Sequence, residues 1–156
     1  MGERGSGFHL PPPFLFAAAM AVGLWLHGRW PLPLLPAGWV GARVLGGWAL
    51  IAAAGGGGAW AIATFRRHGT TIVPGRPARA LVEAGPYRRT RNPMYLCLFV
   101  LYGGLSLRVG SLWPVLLAPL VWLALQHWIV PGEERHLASR FGRDYEHYCD
   151  RVRRWL

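Results

Sequence analysis

Four long apolar stretches constrain the fold of this 156-residue chain more than any other feature of its sequence. They cover residues 12–27, 39–65, 94–109 and 112–130, and they contain few charged side chains. A helix needs about 20 apolar residues to cross the hydrocarbon core of a bilayer, with some tolerance at its ends. The sequence therefore predicts an all-α, polytopic membrane helical bundle with about four transmembrane helices, formed by a single domain.

The short links between these stretches support the same architecture. A proline-rich segment, residues 31–36, turns the chain between the first and second spans, and only Gly110 and Ser111 separate the third from the fourth. We therefore expect a tight helical hairpin at residues 94–130. The second span also carries small residues that allow helices to approach closely in lipid. These are Gly41, Gly46, Gly47 and the run from Gly55 to Gly58.

The charge distribution predicts the orientation of the bundle. The chain has 17 Lys and Arg residues, all of them Arg, and a formal net charge of +10. Seven arginines lie in residues 66–93 and six in residues 131–156. Because short cytoplasmic loops are enriched in positive residues, both segments and both termini are expected in the cytoplasm. The richness in Ala, Gly and Arg without Lys is typical of a bacterial source, so the spans are expected in a bacterial inner membrane. Positive charge beside the spans, without a recognised motif, argues against nucleic acid as a partner.

The tail after the fourth span has the pattern of an amphipathic helix. Between residues 133 and 156, large apolar and aromatic side chains recur every three or four positions, which places them on one helical stripe. They are Leu137, Phe141, Tyr145, Tyr148, Val152 and Trp155. The sequence thus predicts one amphipathic interfacial helix that lies on the membrane surface or caps the bundle.

Two polar segments flank the predicted hairpin and are the candidate site. Before the third span, a Gly-Pro turn leads into an arginine cluster and then Pro93, which suits the first turn of a helix. After the fourth span come the adjacent acids Glu133 and Glu134. If the segments meet, guanidinium groups, carboxylates and tyrosines form a site for a zwitterionic ligand beneath the tail helix. The scattered His and Cys residues have no metal-ligand spacing, so no metal site is expected.

The order of these motifs resembles a known superfamily. The motifs GPYRRTRNPMY, an apolar hairpin, EERHL and FGRDYEHYCDRVRRW resemble the isoprenylcysteine carboxyl methyltransferases and phospholipid methyltransferases over residues of about 79–156. This resemblance implies transfer of a methyl group from S-adenosylmethionine to a small lipophilic or membrane-associated substrate at the cytoplasmic face. The acceptor is left open between a carboxylate, a thiol and a lipid amine.

The resemblance also assigns candidate residues. It implies Arg91 and Glu133 as the catalytic pair, with Arg91 orienting an anionic substrate and Arg88 as the alternative. The predicted cofactor site comprises Leu81, Val82, Tyr87, Asn92, Pro93, Met94, Tyr95 and Glu133, with Glu134 in reserve. The rings of Tyr87 and Tyr95 could face the sulfonium, in a cation–π contact of roughly 0.5–2 kcal/mol.

Three positions depart from the superfamily pattern. Asn92 replaces the usual His, Cys97 replaces a Gly, and Ile129 stands where prenylcysteine methyltransferases have a substrate-binding Arg. Asn retains the capacity for hydrogen bonds, so the cofactor site is still expected. The absence of the Arg argues against a prenylated protein substrate.

Two other function classes remain open. The first is a noncatalytic membrane protein whose arginines bind anionic lipid or a partner. The second is a nicotinamide-dependent reductase, because sterol reductases share a similar carboxyl-terminal arrangement, although they are much longer. The lipid bilayer and a small lipophilic substrate are the expected partners, and the sequence leaves the oligomeric state open.

Overall fold

The computed structural model describes residues 11–69 and 80–156, and the regular elements in these two segments are helices. They are α1 (Pro12–Arg29), α2 (Val40–Arg67), α3 (Pro93–Val109), α4 (Leu112–Ala124), α5 (Val130–Phe141) and α6 (Arg143–Arg151). Short 3₁₀ turns precede α2 and α3, at Ala37–Trp39 and Gly85–Arg88. Arg76 and Arg79 of the predicted cytoplasmic loop lie outside the described residues.

The helices pack in two pairs, α2 against α3 and α1 against α4. The backbones of the first pair are closest where two glycines meet. A Cβ at Gly104 would lie 2.9 Å from the carbonyl oxygen of Gly47. The predicted packing role thus holds for Gly47, and Gly57 likewise lies beneath the sulfur of Cys97, whereas nothing lies within 4 Å of a Cβ placed at Gly41, Gly55, Gly56 or Gly58.

The predicted hairpin between α3 and α4 is confirmed at Gly110, whose φ of 78° is in the left-handed region that favours glycine. The side chain of Ser111 then caps α4 by accepting a hydrogen bond from the backbone N–H of Trp113. The proline-rich link is tied to this turn. Leu34 N–H donates to Gly110 O, and Leu112 N–H donates to Leu32 O, both at 2.9 Å.

Two helical stretches, Ala37–Arg67 and Leu112–Phe141, are long and apolar enough to cross a membrane. Their apolar windows are only 17% and 22% buried inside the bundle. Large side chains such as Leu45 and Leu120 are 74% and 61% exposed. A core helix of a soluble domain would bury these surfaces, whereas a helix in lipid leaves them exposed. α3 is a shorter apolar helix of 17 residues.

Helical structure continues beyond residue 130, the predicted end of the fourth span. Helical backbone continues from Leu112 through Pro131 to Phe141, with a π-helical turn at Leu125–Ile129. Proline lacks an N–H group, and its ring clashes with the carbonyl four residues earlier in an α-helix. A π-helical turn is wider than an α-helical turn, and here it lies immediately before Pro131, where the helix continues into α5.

The predicted single helix over residues 133–156 is wrong. Gly142 ends α5 with φ 52° and ψ −124°, α6 follows, and Val152 is extended. The stripe of large side chains nevertheless faces inward, because Tyr145, Tyr148 and Val152 form a buried cluster. α6 therefore caps the end of the bundle where α3 begins, and residues 152–156 run back across that end.

Candidate functional site

The structure brings together the two polar segments that flank the hairpin. Tyr95, in the first turn of α3, donates a 2.6 Å hydrogen bond from its hydroxyl to Oε1 of Glu133 in α5. Arg91, just before α3, places its Nη1 atom 3.2 Å from Oε1 of Glu134. Carboxylates, a guanidinium group and tyrosines thus occupy one end of the bundle.

A cavity of about 160 Å³ lies between these segments. Most of its lining surface is apolar. Its wall comprises Phe65, Tyr87, Arg91, Asn92, Pro93, Met94, Tyr95, Val130, Glu133, Glu134, Leu137, Tyr145 and Tyr148. Small-molecule sites usually measure roughly 300–1,000 Å³. A ligand of nucleoside size therefore enters only if parts of this wall move outward.

Tyr87 lines the cavity and has a buried hydroxyl donor. Within residues 11–69 and 80–156, its hydroxyl has no hydrogen-bond partner, and the residue is 6% exposed. Burial raises the pKa of this hydroxyl, and Tyr148 and Cys97 raise it further. Tyr148 fixes the backbone here, since its hydroxyl donates to the carbonyl oxygen of Tyr87 at 2.7 Å. Tyr87 thus remains a neutral donor at physiological pH.

Arg91 contributes a half-buried cation. Its Nε–H lacks a partner in the described part of the chain, while Nη1 donates to the sulfur of Cys149 and pairs with Glu134. Burial by itself would lower the pKa of Arg91, but the Glu134 carboxylate, with smaller effects from Cys149 and Tyr145, raises it above its ordinary value. The guanidinium group is therefore always charged, and one of its donors is uncommitted.

This donor set fits a zwitterionic sulfonium ligand. Unpaired buried donors cost free energy until a ligand accepts from them, and Arg91 supplies charge for an anionic group. Tyr87 and Tyr95 supply aromatic rings of the kind that bind cations. Apolar side chains on the same wall suit the remainder of a nucleoside ligand.

Most of the predicted site residues meet at this cavity, but three do not. Tyr87, Arg91, Asn92, Pro93, Met94, Tyr95, Glu133 and Glu134 line it. Leu81 packs against the Tyr145 cluster, Val82 is buried beside Ala61, and Arg88 is exposed. Asn92 uses its side-chain amide to donate to Arg154 O at 2.9 Å.

The sequence did not point to five of the lining residues as parts of a site. Leu137, Tyr145 and Tyr148 belong to the amphipathic stripe, so their inward direction was the available signal. Phe65 and Val130 come from the ends of apolar stretches, where the sequence does not distinguish a cavity-lining side chain from a lipid-facing one. Only the packing of the bundle identifies these two.

Comparison with known proteins decides the family. The family model described as phospholipid methyltransferase matches residues 42–144, which extend from α2 into α6. The chain belongs to the phospholipid methyltransferase family. This confirms the resemblance to the wider superfamily, and with the two membrane-length helices it identifies a membrane protein of a methyltransferase family.

A curated relative of this protein has a name that refers to metal resistance and not to methyl transfer. The nickel-cobalt-cadmium resistance protein NccN of Alcaligenes xylosoxydans xylosoxydans is 34% identical over 80 residues. The match covers 51% of this chain and 37% of the relative, so it spans little more than a third of that protein's length. No solved structure matches the chain.

Proposed function

We propose that this protein transfers a methyl group from S-adenosylmethionine to a small lipophilic or membrane-associated acceptor. The observation that carries the proposal is the cavity at the start of α3, whose lining residues include Tyr87 and Arg91, each with a buried donor that has no partner in the described segments. Membership in the phospholipid methyltransferase family supports a lipid-related acceptor.

The chain's own residues would hold the reactants in position. Bound S-adenosylmethionine would supply an electrophilic methyl group on its sulfonium. Arg91 and the Tyr87 hydroxyl bind anionic and polar groups of the ligand, and Glu133 keeps the ring of Tyr95 in place through their hydrogen bond. Phe65, Met94 and Val130 exclude water from the wall. Positioning and electrostatics of this kind supply most of the catalysis in a displacement that needs no proton transfer to the donor.

The acceptor is a carboxylate, a thiol or a lipid amine. A carboxylate is already ionised, whereas a thiol or an amine must lose a proton before it attacks. In the proposed topology, α1 to α4 all span the inner membrane of a bacterium, and both termini lie in the cytoplasm. The cavity then opens near the cytoplasmic boundary of the bilayer, which suits a substrate delivered from lipid.

Calorimetric titration of S-adenosylhomocysteine into the detergent-purified protein tests this function. We expect micromolar binding by the wild type and a loss of about tenfold or more in Arg91→Gln, because a charge-assisted contact is removed. Arg89→Gln is the matched control, since Arg89 is exposed and does not line the cavity. A labelled methyl donor then identifies the acceptor in membrane extracts.

Two results would contradict the proposal. One is no binding by well-folded wild type, in detergent and again in lipid nanodiscs. The other is equal weakening by Arg91→Gln and Arg89→Gln, which would indicate a general charge effect and favour a noncatalytic binder of anionic lipid.

A further inference from the structure

Residues 152–156, here called the C-terminal strap, bind the segment that leads into α3. The backbone N–H of Arg91 donates to Arg153 O at 3.0 Å. The carbonyl oxygen of Arg154 accepts from the Thr90 hydroxyl at 3.1 Å and from the Asn92 amide at 2.9 Å. The strap therefore fixes the backbone on which Arg91 is carried.

The side chain of Arg154 makes a second connection, to Glu134. Its Nε and Nη2 atoms lie 3.0 Å and 2.5 Å from Oε1 and Oε2 of that carboxylate. This two-point geometry is the strong form of an arginine–carboxylate pair. The Glu134 side chain is only 17% exposed and that of Arg154 29%, so water screens the pair incompletely.

Arg91 and Arg154 share the carboxylate of Glu134 unequally. Arg91 reaches Oε1 of Glu134 through Nη1 alone, at 3.2 Å, while Arg154 contacts both oxygens. If Arg154 were absent, Glu134 would be a partly buried anion with unused acceptor sites. The planar guanidinium of Arg91, whose Nε–H is unpartnered within the described segments, would then turn to pair with both oxygens.

We propose that Arg154 is a positioning residue that occupies Glu134 and thereby keeps Arg91 available to an anionic group of a ligand in the cavity. The inference rests on the proposed function for the identity of that ligand. Arg154 lies beyond residues 42–144, the part of the chain that the family model matches. The role of Arg154 is therefore inferred from the contacts of the strap and not from family membership.

The first test is a mutant cycle read by S-adenosylhomocysteine titration into the full-length protein. Arg154→Gln should weaken binding about tenfold, because Glu134 captures Arg91. The double variant Arg154→Gln with Glu134→Gln should bind severalfold more tightly than Arg154→Gln alone, because no carboxylate remains to capture Arg91. Arg143→Gln, which removes the same charge from an exposed position in α6, should bind as the wild type does.

Rescue separates positioning from a merely structural role. If the strap only stabilised the fold, the second substitution would remove one more contact and the double variant would bind no better than Arg154→Gln. That result, or unchanged binding by Arg154→Gln, overturns the inference. Should Arg154→Gln fail to fold, Arg154→Lys takes its place, because an ammonium cannot match both carboxylate oxygens at once, and the same rescue by Glu134→Gln is expected.

A second measurement needs no cofactor and is independent of the proposed function. Phenylglyoxal modifies guanidinium groups that are not held in ion pairs. Mass spectrometry of the peptides measures the reaction at Arg91 separately from that at the other arginines. In ligand-free protein, we expect the rate at Arg91 to fall severalfold in Arg154→Gln and to recover in the double variant. Absence of S-adenosylhomocysteine binding by the wild type would remove the proposed function, whereas equal Arg91 rates in wild type and Arg154→Gln would remove the role of Arg154.

Discussion

At the scale of single residues, two adjacent acids have different structural roles. Glu133 accepts a hydrogen bond from Tyr95, a residue of the cavity wall. Glu134 is paired with Arg91 and with Arg154 of the strap. The sequence predicted a functional acid at this point and favoured Glu133. It gave no sign that Glu134 would be neutralised by an arginine 20 positions later, because that pairing depends on the break at Gly142.

The different partners predict different costs of substitution. Glu134→Gln should lower the free energy of unfolding by about 2 kcal/mol, because two guanidinium groups lose a charged acceptor. Glu133→Gln should cost less, because a glutamine oxygen can still accept from the Tyr95 hydroxyl. Unfolding of both variants in the same detergent measures this difference. Equal costs would show that the two carboxylates contribute alike.

Tyr87 predicts how stability depends on alkaline pH. Burial raises the pKa of its hydroxyl above the ordinary value of about 10, so the unfolded chain releases this proton first as pH rises. The stabilising contribution is complete below about pH 10 and is lost above it. Burial likewise raises the pKa of Tyr145 and of Tyr148, so the wild type should lose stability steeply in this range.

Tyr87→Phe should reduce that steepness. Phenylalanine has no proton to release, and its ring fits the same apolar surroundings without an unpartnered hydroxyl. Unfolding measured from about pH 8 to about pH 11 should show a smaller loss of stability in the variant than in the wild type. Identical pH profiles would mean that Tyr87 titrates normally in the folded protein.

At the scale of helices, the apolar stretches predicted the starts of α1 to α4 closely, but not the course of the chain after residue 130. Periodicity continued across Gly142 because α5 and α6 bury the same stripe of side chains. A repeat of three or four positions reports which side chains face inward, and it is insensitive to one residue with positive φ. The break could not be read from spacing, although Gly142 is the residue type that such a φ favours.

The residues of the candidate site were also predicted only in part from the sequence. Its polar members were found because the Gly-Pro turn, the arginines and the paired acids are conspicuous beside apolar spans. Phe65 and Val130 were not found, because α2 and the π-helical turn place them at the cavity through long-range packing. The same holds for Arg154, which reaches the site only after the chain has turned back.

Packing between α2 and α3 predicts contrasting effects at neighbouring glycines. Gly104→Ala would place a Cβ 2.9 Å from Gly47 O and 3.1 Å from the backbone nitrogen of Ile51, so the helices must separate. We expect a loss of about 1–3 kcal/mol in unfolding free energy. Gly103→Ala is the control, since nothing lies within 4 Å of its Cβ. Equal stability of the two variants in detergent would contradict close contact at this position.

At the scale of the whole molecule, the arginine-rich segments meet at one end of the bundle, and the hairpin turn lies at the other. The predicted orientation can therefore be tested with reporters. Green fluorescent protein fused after Leu156 should fluoresce, and alkaline phosphatase fused there should be inactive, because the tail is expected in the cytoplasm. Alkaline phosphatase fused after Ser111 should be active. The reverse pattern would invert the proposed topology.

The backbone bonds between the proline-rich link and the hairpin turn have a mechanical consequence. Leu34 and Leu112 join the two connections at the end remote from the cavity, so all four long helices are tethered there. The other end is held by side-chain contacts and by the C-terminal strap. We therefore expect the widening that a nucleoside-sized ligand requires to occur at the cavity end, as a small angular opening of the helices about the tethered end.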